Sequence, residues 1–150
     1  MPADSYLKLC DISGESVTID HAGEIDVLSW SWESNVDSDQ RMACGLSLTK
    51  NVDAASPLIL ALHVNRLPTE AVLTVERAGP FRFFILRLTL GDVRVESMQV
   101  SGSGADGPPM EMIVLSYRRL KMEYQPQGPD GRPLDIIEFG YEFGGSAVHR

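Results

Sequence analysis

The chain has 150 residues, 43% of them hydrophobic and 23% charged, with a formal charge of −8. Such a chain fits one globular domain spanning residues 1–150, large enough to bury about two-thirds of its unfolded surface without cross-links. The acidic balance argues against nucleic acid, because phosphate binding draws on a basic surface and Arg118, Arg119 and Lys121 are too few to reverse the charge.

No apolar run approaches the roughly 18 residues of a transmembrane helix, so membrane insertion is not expected. Met1–Tyr6 carries no basic region followed by an apolar core. This predicts cytoplasmic synthesis without a cleaved signal peptide and leaves other export routes open. Cys10 and Cys44 have neither metal-ligand spacing nor the numbers of a disulfide framework, and are read as free thiols.

In chain order, the dominant period is two. Tyr6–Cys10 alternates and predicts a short first strand, followed by a turn around Ser13, Gly14 and Glu15. Glu24–Glu33 is an unbroken alternation holding both tryptophans. As one strand it places Leu28, Trp30 and Trp32 on a large apolar face, with Val27, Ser29, Ser31 and Glu33 on the other. At about 3.3 Å per residue it would reach about 33 Å, longer than most strands. Asn35–Gln40 reads as a polar loop, and Met42–Lys50 resumes alternation with Leu46 and Leu48 on one face.

One helix is predicted. Ser56 suits the N-cap and Pro57 the first turn. Leu58, Ile59, Leu60, Leu62 and Val64 make it heavily apolar, Asn65 suits a left-handed end, and Pro68 prevents continuation. A short helix this apolar is read as a plug over a barrel opening or sheet edge. Strand pattern returns at Ala71, with a turn at Ala78, Gly79 and Pro80.

The run from Phe81 to Val100 changes phase: Phe84, Leu86, Leu88 and Leu90 are even, whereas Val93 and Val95 are odd. A one-residue change at Gly91–Asp92 predicts a β-bulge bending a long strand. A third long strand is predicted from Met110 to Tyr124, then a turn through Gln125–Gly131. Leu134–Phe143 reads as a last strand with Ile137, Phe139, Tyr141 and Phe143 in one phase. The fold class is mainly β: an antiparallel two-sheet β-barrel with one short flanking α-helix.

Chemical motifs are weak. Gly102–Gly107 matches G-x-G-x-x-G in letters, but Pro108, Pro109 and a strand follow where a dinucleotide site needs a helix, so it reads as a hairpin loop. His21 and Glu24 lie between Asp20 and Asp26, yet His63 and His149 supply no companions at ligand spacing, and no metal is expected. No nucleophile elbow is present, neither cysteine has a histidine near it in sequence, and spatial carboxylate pairs are invisible at this level. The tryptophans read as core rather than as a ligand-stacking platform.

Taken together, the segments resemble the haemolysin-coregulated protein (Hcp) family, the tube-forming component of bacterial type VI secretion, over nearly the whole chain. The resemblance is carried by Tyr6-Leu7-Lys8-Leu9, Gly14-Glu15-Ser16, and His21 with the Glu24–Trp32 run. Further matches are Leu46-Ser47-Leu48-Thr49-Lys50, Ala55-Ser56-Pro57-Leu58, Ala71 to Gly79, and Tyr124-Gln125-Pro126-Gln127.

It implies a two-sheet barrel similar to phage tail-tube proteins, hexameric rings around a channel, and rings stacked into a tube that a sheath propels outwards. Effector proteins would ride in the lumen or at a spike-protein tip. No catalytic residue and no cofactor come with the resemblance, and no fused effector domain is expected. The small polar face of Ser29, Ser31 and Glu33 is the expected channel lining.

One departure is the short, glycine-free stretch Ser34–Cys44, where many members carry a long glycine-rich excursion. If that excursion mediates stacking, stacking here would be weaker or differently keyed. Two other classes stay open: a stand-alone ligand-binding β-barrel with the tryptophans lining a pocket, and a small enzyme using a carboxylate pair.

Overall fold

The computed structural model describes residues 3–36, 42–77, 83–104 and 107–142. In chain order the elements are β1 (Ala3–Leu9), β2 (Ile25–Val27), β3 (Ser29–Val36), β4 (Met42–Asn51), α1 (Ser56–Asn65), β5 (Thr69–Arg77), β6 (Phe84–Ser101), β7 (Met110–Ser116), β8 (Arg119–Tyr124) and β9 (Ile137–Glu142). Every strand pair is antiparallel. One sheet runs β2-β1-β5-β6-β8-β9 and the second runs β3-β4-β7-β6.

β6 belongs to both sheets, and the reason is the phase change at Gly91–Asp92. It pairs with β8 up to Gly91 and with β5 up to Val93; from Arg94 it pairs with β7. Ala71 faces Leu90 while Thr69 faces Val93, so β6 carries one extra residue there, and Asp92 adopts φ 52°. The expected bulge is present. It turns Leu88 and Leu90 on one side, and Val93 and Val95 on the other, into the same core.

The Glu24–Glu33 run is not one strand. Leu28 interrupts it, so that β2 pairs with β1 and β3 pairs with β4 in the other sheet. Leu28 is 55% exposed and does not share the tryptophan face. Ile25 and Val27 point into the core before the break, and Trp30 and Trp32 pack against it afterwards. The Met110–Tyr124 run is likewise split, by Tyr117–Arg118, into β7 in one sheet and β8 in the other. Tyr117 is buried at that break, and its hydroxyl accepts a hydrogen bond from the Trp32 indole.

The core is a layer of aliphatic side chains between the two sheets. Leu7, Leu73 and Leu88 lie side by side in one sheet; Leu48 and Ile113 lie side by side in the other. The first row continues to Met122 on β8 and Phe139 on β9. Burial fades along it, from Leu7 at 0% to Phe139 at 58% exposed, and Ile137 beside it is 64% exposed. The core-facing side of β8–β9 therefore overhangs the core.

α1 lies against β6, with Ala55 and Ile59 in the core and His63 Nδ1 at 2.8 Å from the Val95 carbonyl. Both ends sit one residue from the expected positions. Ala55 is the N-cap, because the Ser56 hydroxyl is engaged by Lys50 Nζ at 3.2 Å and by the Asp53 N–H at 3.0 Å. Arg66, not Asn65, takes the left-handed conformation, and Leu67 N–H bonds back to Leu62 O in a Schellman turn. The glycine-rich 102–107 stretch lies in the β6–β7 hairpin connection, since Ser101 faces Met110. The turns expected at Asn35–Gln40 and Ala78–Pro80 fall wholly or partly outside the described residues.

Alternation along β4 points Leu46, Leu48 and then Lys50 inwards. Lys50 is 0% exposed. Its ammonium lies 2.9 Å from Asp53 Oδ1 and 3.2 Å from Glu111 Oε2 on β7, whose side chain is also fully buried. Replacing one partner of such a pair strands the other charge, at a cost of about 3–5 kcal/mol, whereas replacing both with apolar groups is far milder. Lys50→Ala is expected to lower the unfolding free energy by about that amount. Lys50→Met combined with Glu111→Leu should recover much of it, as measured by urea denaturation of the full chain.

Candidate functional site

Ser29, Ser31 and Glu33 all lie exposed on the outer face of β3, opposite the tryptophans. Register extends this face across the sheet. Ser29 faces Thr49 and Ser31 faces Ser47 on β4. Ser47 then faces Val114 and Thr49 faces Met112 on β7, which in turn face Ser97 and Gln99 on β6. The result is a broad surface of small hydroxyl-bearing side chains, interrupted by Val114 and Met112. Such a surface offers hydroxyl donors and acceptors whose hydrogen bonds are readily exchanged. Ser47 and Thr49 were visible in sequence as the partners in alternation of Leu46 and Leu48. Ser97 and Gln99 were not, because a further irregularity between Val95 and Ser97 resets the phase.

The outer face of the other sheet is different. It holds a cleft of about 600 Å³ lined by Lys8, Glu76, Arg87, Lys121 and Glu123, among others. Arg87 grips Glu123 through two hydrogen bonds of 3.0 and 3.2 Å and sits 4.1 Å from the Phe84 ring centroid. The Arg87 hydrogen bond holds the Glu123 carboxyl below its usual range against the opposing effect of burial, with the Arg87 and Lys121 charges adding to it. Lys121 donates to Glu138 at 3.0 Å, and that bond raises its pKa. Arg119 lies 3.5 Å from Glu70 and Arg118 3.8 Å from Asp92, so each cation of the basic cluster has a carboxylate beside it.

His21, Glu24 and Glu76 come together at the rim of this cleft. His21 Nδ1 is 2.9 Å from Glu24 Oε1, and Nε2 is 2.7 Å from Glu76 Oε2. Both ring nitrogens are thus occupied by carboxylates, which leaves no lone pair for a metal ion. Among the described residues no group of three His, Cys, Asp or Glu side chains has metal-binding geometry. His63 is taken by the Val95 carbonyl, and His149 lies outside the described residues. Cys10 is exposed, with its sulfur 2.7 Å from Asp11 Oδ1. No described helix is long and apolar enough to cross a membrane.

Among the described residues, nine antiparallel strands in two sheets and one flanking helix define a mainly β protein. Comparison with known proteins gives that class a family. The sequence model described as "Type VI secretion system effector, Hcp" matches residues 6–124. Protein hcp1 of Pseudomonas aeruginosa is 34% identical over 143 residues, covering 87% of this chain and 88% of that protein. The crystal structure of Hcp1 from Salmonella typhimurium superposes with a TM-score of 0.83 at 31% identity, covering 99% of this chain and 100% of that one. A type VI secretion system effector from Yersinia pestis shares the fold at a TM-score of 0.79 and 23% identity, covering 93% and 99% of the two chains. The chain belongs to the Hcp family of type VI secretion proteins.

The Arg87–Glu123 pair yields a prediction with a defined sign. Because the folded Glu123 pKa lies below the ordinary value of 4.5, its contribution is present above that value and is lost as pH falls through the lower folded one. Arg87→Gln should therefore flatten part of the acid limb of the stability profile. Thermal denaturation of both proteins between about pH 2 and pH 5 reads this out.

Proposed function

We propose that this chain is a non-catalytic tube subunit: it forms hexameric rings that stack into a secreted tube and carry effector proteins in the lumen. The outer face of β3-β4-β7-β6 lines the channel, with Ser29, Ser31 and Glu33 at its edge. The observation that carries the reading is the contrast between the two outer faces. One is mostly small hydroxyl-bearing side chains, interrupted by Val114 and Met112, and suits a wet wall past which cargo slides; the other holds a cleft lined by charged side chains.

Membership of a type VI secretion family supports the role, as does the unfinished burial of the β8–β9 overhang. Ile137 and Phe139 extend a core row past the end of the core, and α1 with the turn after it shows Leu58, Leu60, Val64 and Leu67 to solvent. Two different apolar surfaces on one protomer suit a heterologous interface, which closes a ring when its rotation divides a full turn. Spike and sheath proteins are the further partners in this reading. The route is synthesis in the cytoplasm and export by the type VI machine without a cleaved signal peptide.

Two substitutions separate the surfaces. Ile137→Asp should convert rings to smaller species in native mass spectrometry and electron microscopy. Ser31→Trp should leave rings intact while lowering the amount of co-purified effector protein by about tenfold, the effect of about 1.4 kcal/mol. Purified wild-type protein without rings would sink the assembly. Rings that lose no cargo on Ser31→Trp would sink the lumen assignment.

A further inference from the structure

Cys10 to Glu24 is a connection without strands that folds over the outer face of β1. It closes on itself: Gly14 N–H donates to Gly23 O at 2.7 Å, Gly23 N–H to Ser16 O at 2.9 Å, and Ser16 N–H to Glu24 O at 2.9 Å. At its tip Val17 and Ile19 are 93% and 83% exposed. The underside of the tip is fixed at two side chains. Tyr6 OH donates to Thr18 Oγ1 at 3.1 Å, and the His21 ring stacks on Tyr6 with centroids 4.3 Å apart and planes 7° from parallel. His21 then reaches Glu76 on β5 with one nitrogen and Glu24, on the returning limb, with the other.

The two hydrogen bonds define the ring's protonation. An ionised carboxylate only accepts, so with Glu24 and Glu76 both ionised this geometry is completed by a hydrogen on each His21 nitrogen, an imidazolium. Removing one proton turns a nitrogen lone pair towards a carboxylate oxygen less than 3 Å away, in a site where His21 is 8% exposed. It also removes the positive charge that His21 places between the Glu24 and Glu76 carboxylates.

Other charged groups also border this site. Among the described residues these are Asp4 and Lys8 on β1, Asp26 on β2, Asp20 beside His21, Arg87 on β6, and Lys121 and Glu123 on β8. Arg87 is committed to Glu123 and Lys121 to Glu138.

We propose that the 10–24 segment is a proton latch: one proton on His21 clamps it to Tyr6 and Glu76, and loss of that proton frees the tip that carries Val17 and Ile19. The latch goes beyond the tube reading and does not depend on it, since every group involved belongs to one protomer.

Burial alone pulls the His21 pKa down. The hydrogen bonds to Glu76 and Glu24, together with their charges, more than reverse this and place it above the ordinary 6.5. A raised folded value means that the clamp is fully present below the unfolded value and fades as pH rises through the folded one. The segment should therefore open on the alkaline side, with its opening equilibrium growing by up to about tenfold per pH unit between the ordinary value of 6.5 and the folded midpoint and levelling off above it.

The test uses the full chain. The His21 midpoint is read by NMR on ring-labelled protein, and amide protection factors, corrected for intrinsic exchange, are measured from about pH 6 to pH 10. The latch requires a midpoint above 6.5 and protection of Gly14–Glu24 amides that falls, by up to about tenfold per unit, between pH 6.5 and that midpoint and is level above it, with β5–β6 protection unchanged. Glu76→Gln should move the midpoint down, and His21→Gln should leave the segment poorly protected with no pH dependence. A midpoint at or below 6.5, flat protection between pH 6.5 and the midpoint, or wild-type pH dependence in His21→Gln would each overturn it. If His21→Gln fails to fold, the Glu76→Gln midpoint decides.

Discussion

A fully buried ammonium, Lys50 Nζ, sets conditions that much of the surrounding structure has to meet. Alternation along β4 drives it into the interior behind Leu46 and Leu48, where an unpaired charge is costly. Three elements answer it: Asp53 from the turn before the helix, Ser56 from the first residue of α1, and Glu111 from β7. The helix therefore begins where the cluster ends, and Ser56 spends its hydroxyl on Lys50 rather than on capping. Glu111 Oε1 has no hydrogen-bond partner among the described residues, so this pole of the molecule is held by charge pairing rather than by complete polar satisfaction. Coupling of this kind favours one placement of the helix over sliding alternatives, since each shift would strand a charge.

The same logic explains residues that look unremarkable as letters. Lys50 and Ser56 sit in two of the short segments that resemble the Hcp family, and His21 and Glu24 sit in another. Each pair joins a local turn to a distant strand through a nearly dry polar contact. The partners Glu76 and Glu111 stand 55 and 61 positions away in the chain. Separation of that size is why neither cluster could be assembled from the sequence. His21 and Glu24 were visible as neighbours, and their third member was not. Ser29, Ser31 and Glu33 were legible for the opposite reason, because strand alternation is local.

The architecture was readable wherever a phase change stood in plain view. Leu86, Leu88 and Leu90 against Val93 and Val95 gave away the bulge that hands β6 from one sheet to the other. The same event occurs between Val27 and Trp30, but Leu28 is itself apolar and fills the even phase, so two strands in two sheets looked like one. Between Leu115 and Leu120 the buried Tyr117 hid the break in the same manner. Apolar residues at sheet-switching corners thus camouflage them. The helix ends were misplaced by a single residue each, where tertiary contacts outbid the local capping preferences of Ser56 and Asn65.

The break at Leu28 has a consequence for how the molecule comes apart. The hydrogen-bonded strand path starts at β2 and finishes at β3, and these two are consecutive in the chain, separated by that one residue. Leu28 N–H also donates to Thr49 O at 2.8 Å, tying the junction to β4. Fraying at one end of the path therefore pulls directly on the other through a peptide unit, with no slack between them. The two margins that would ordinarily unzip first and separately are forced to yield as one event, which favours all-or-none unfolding over gradual peeling.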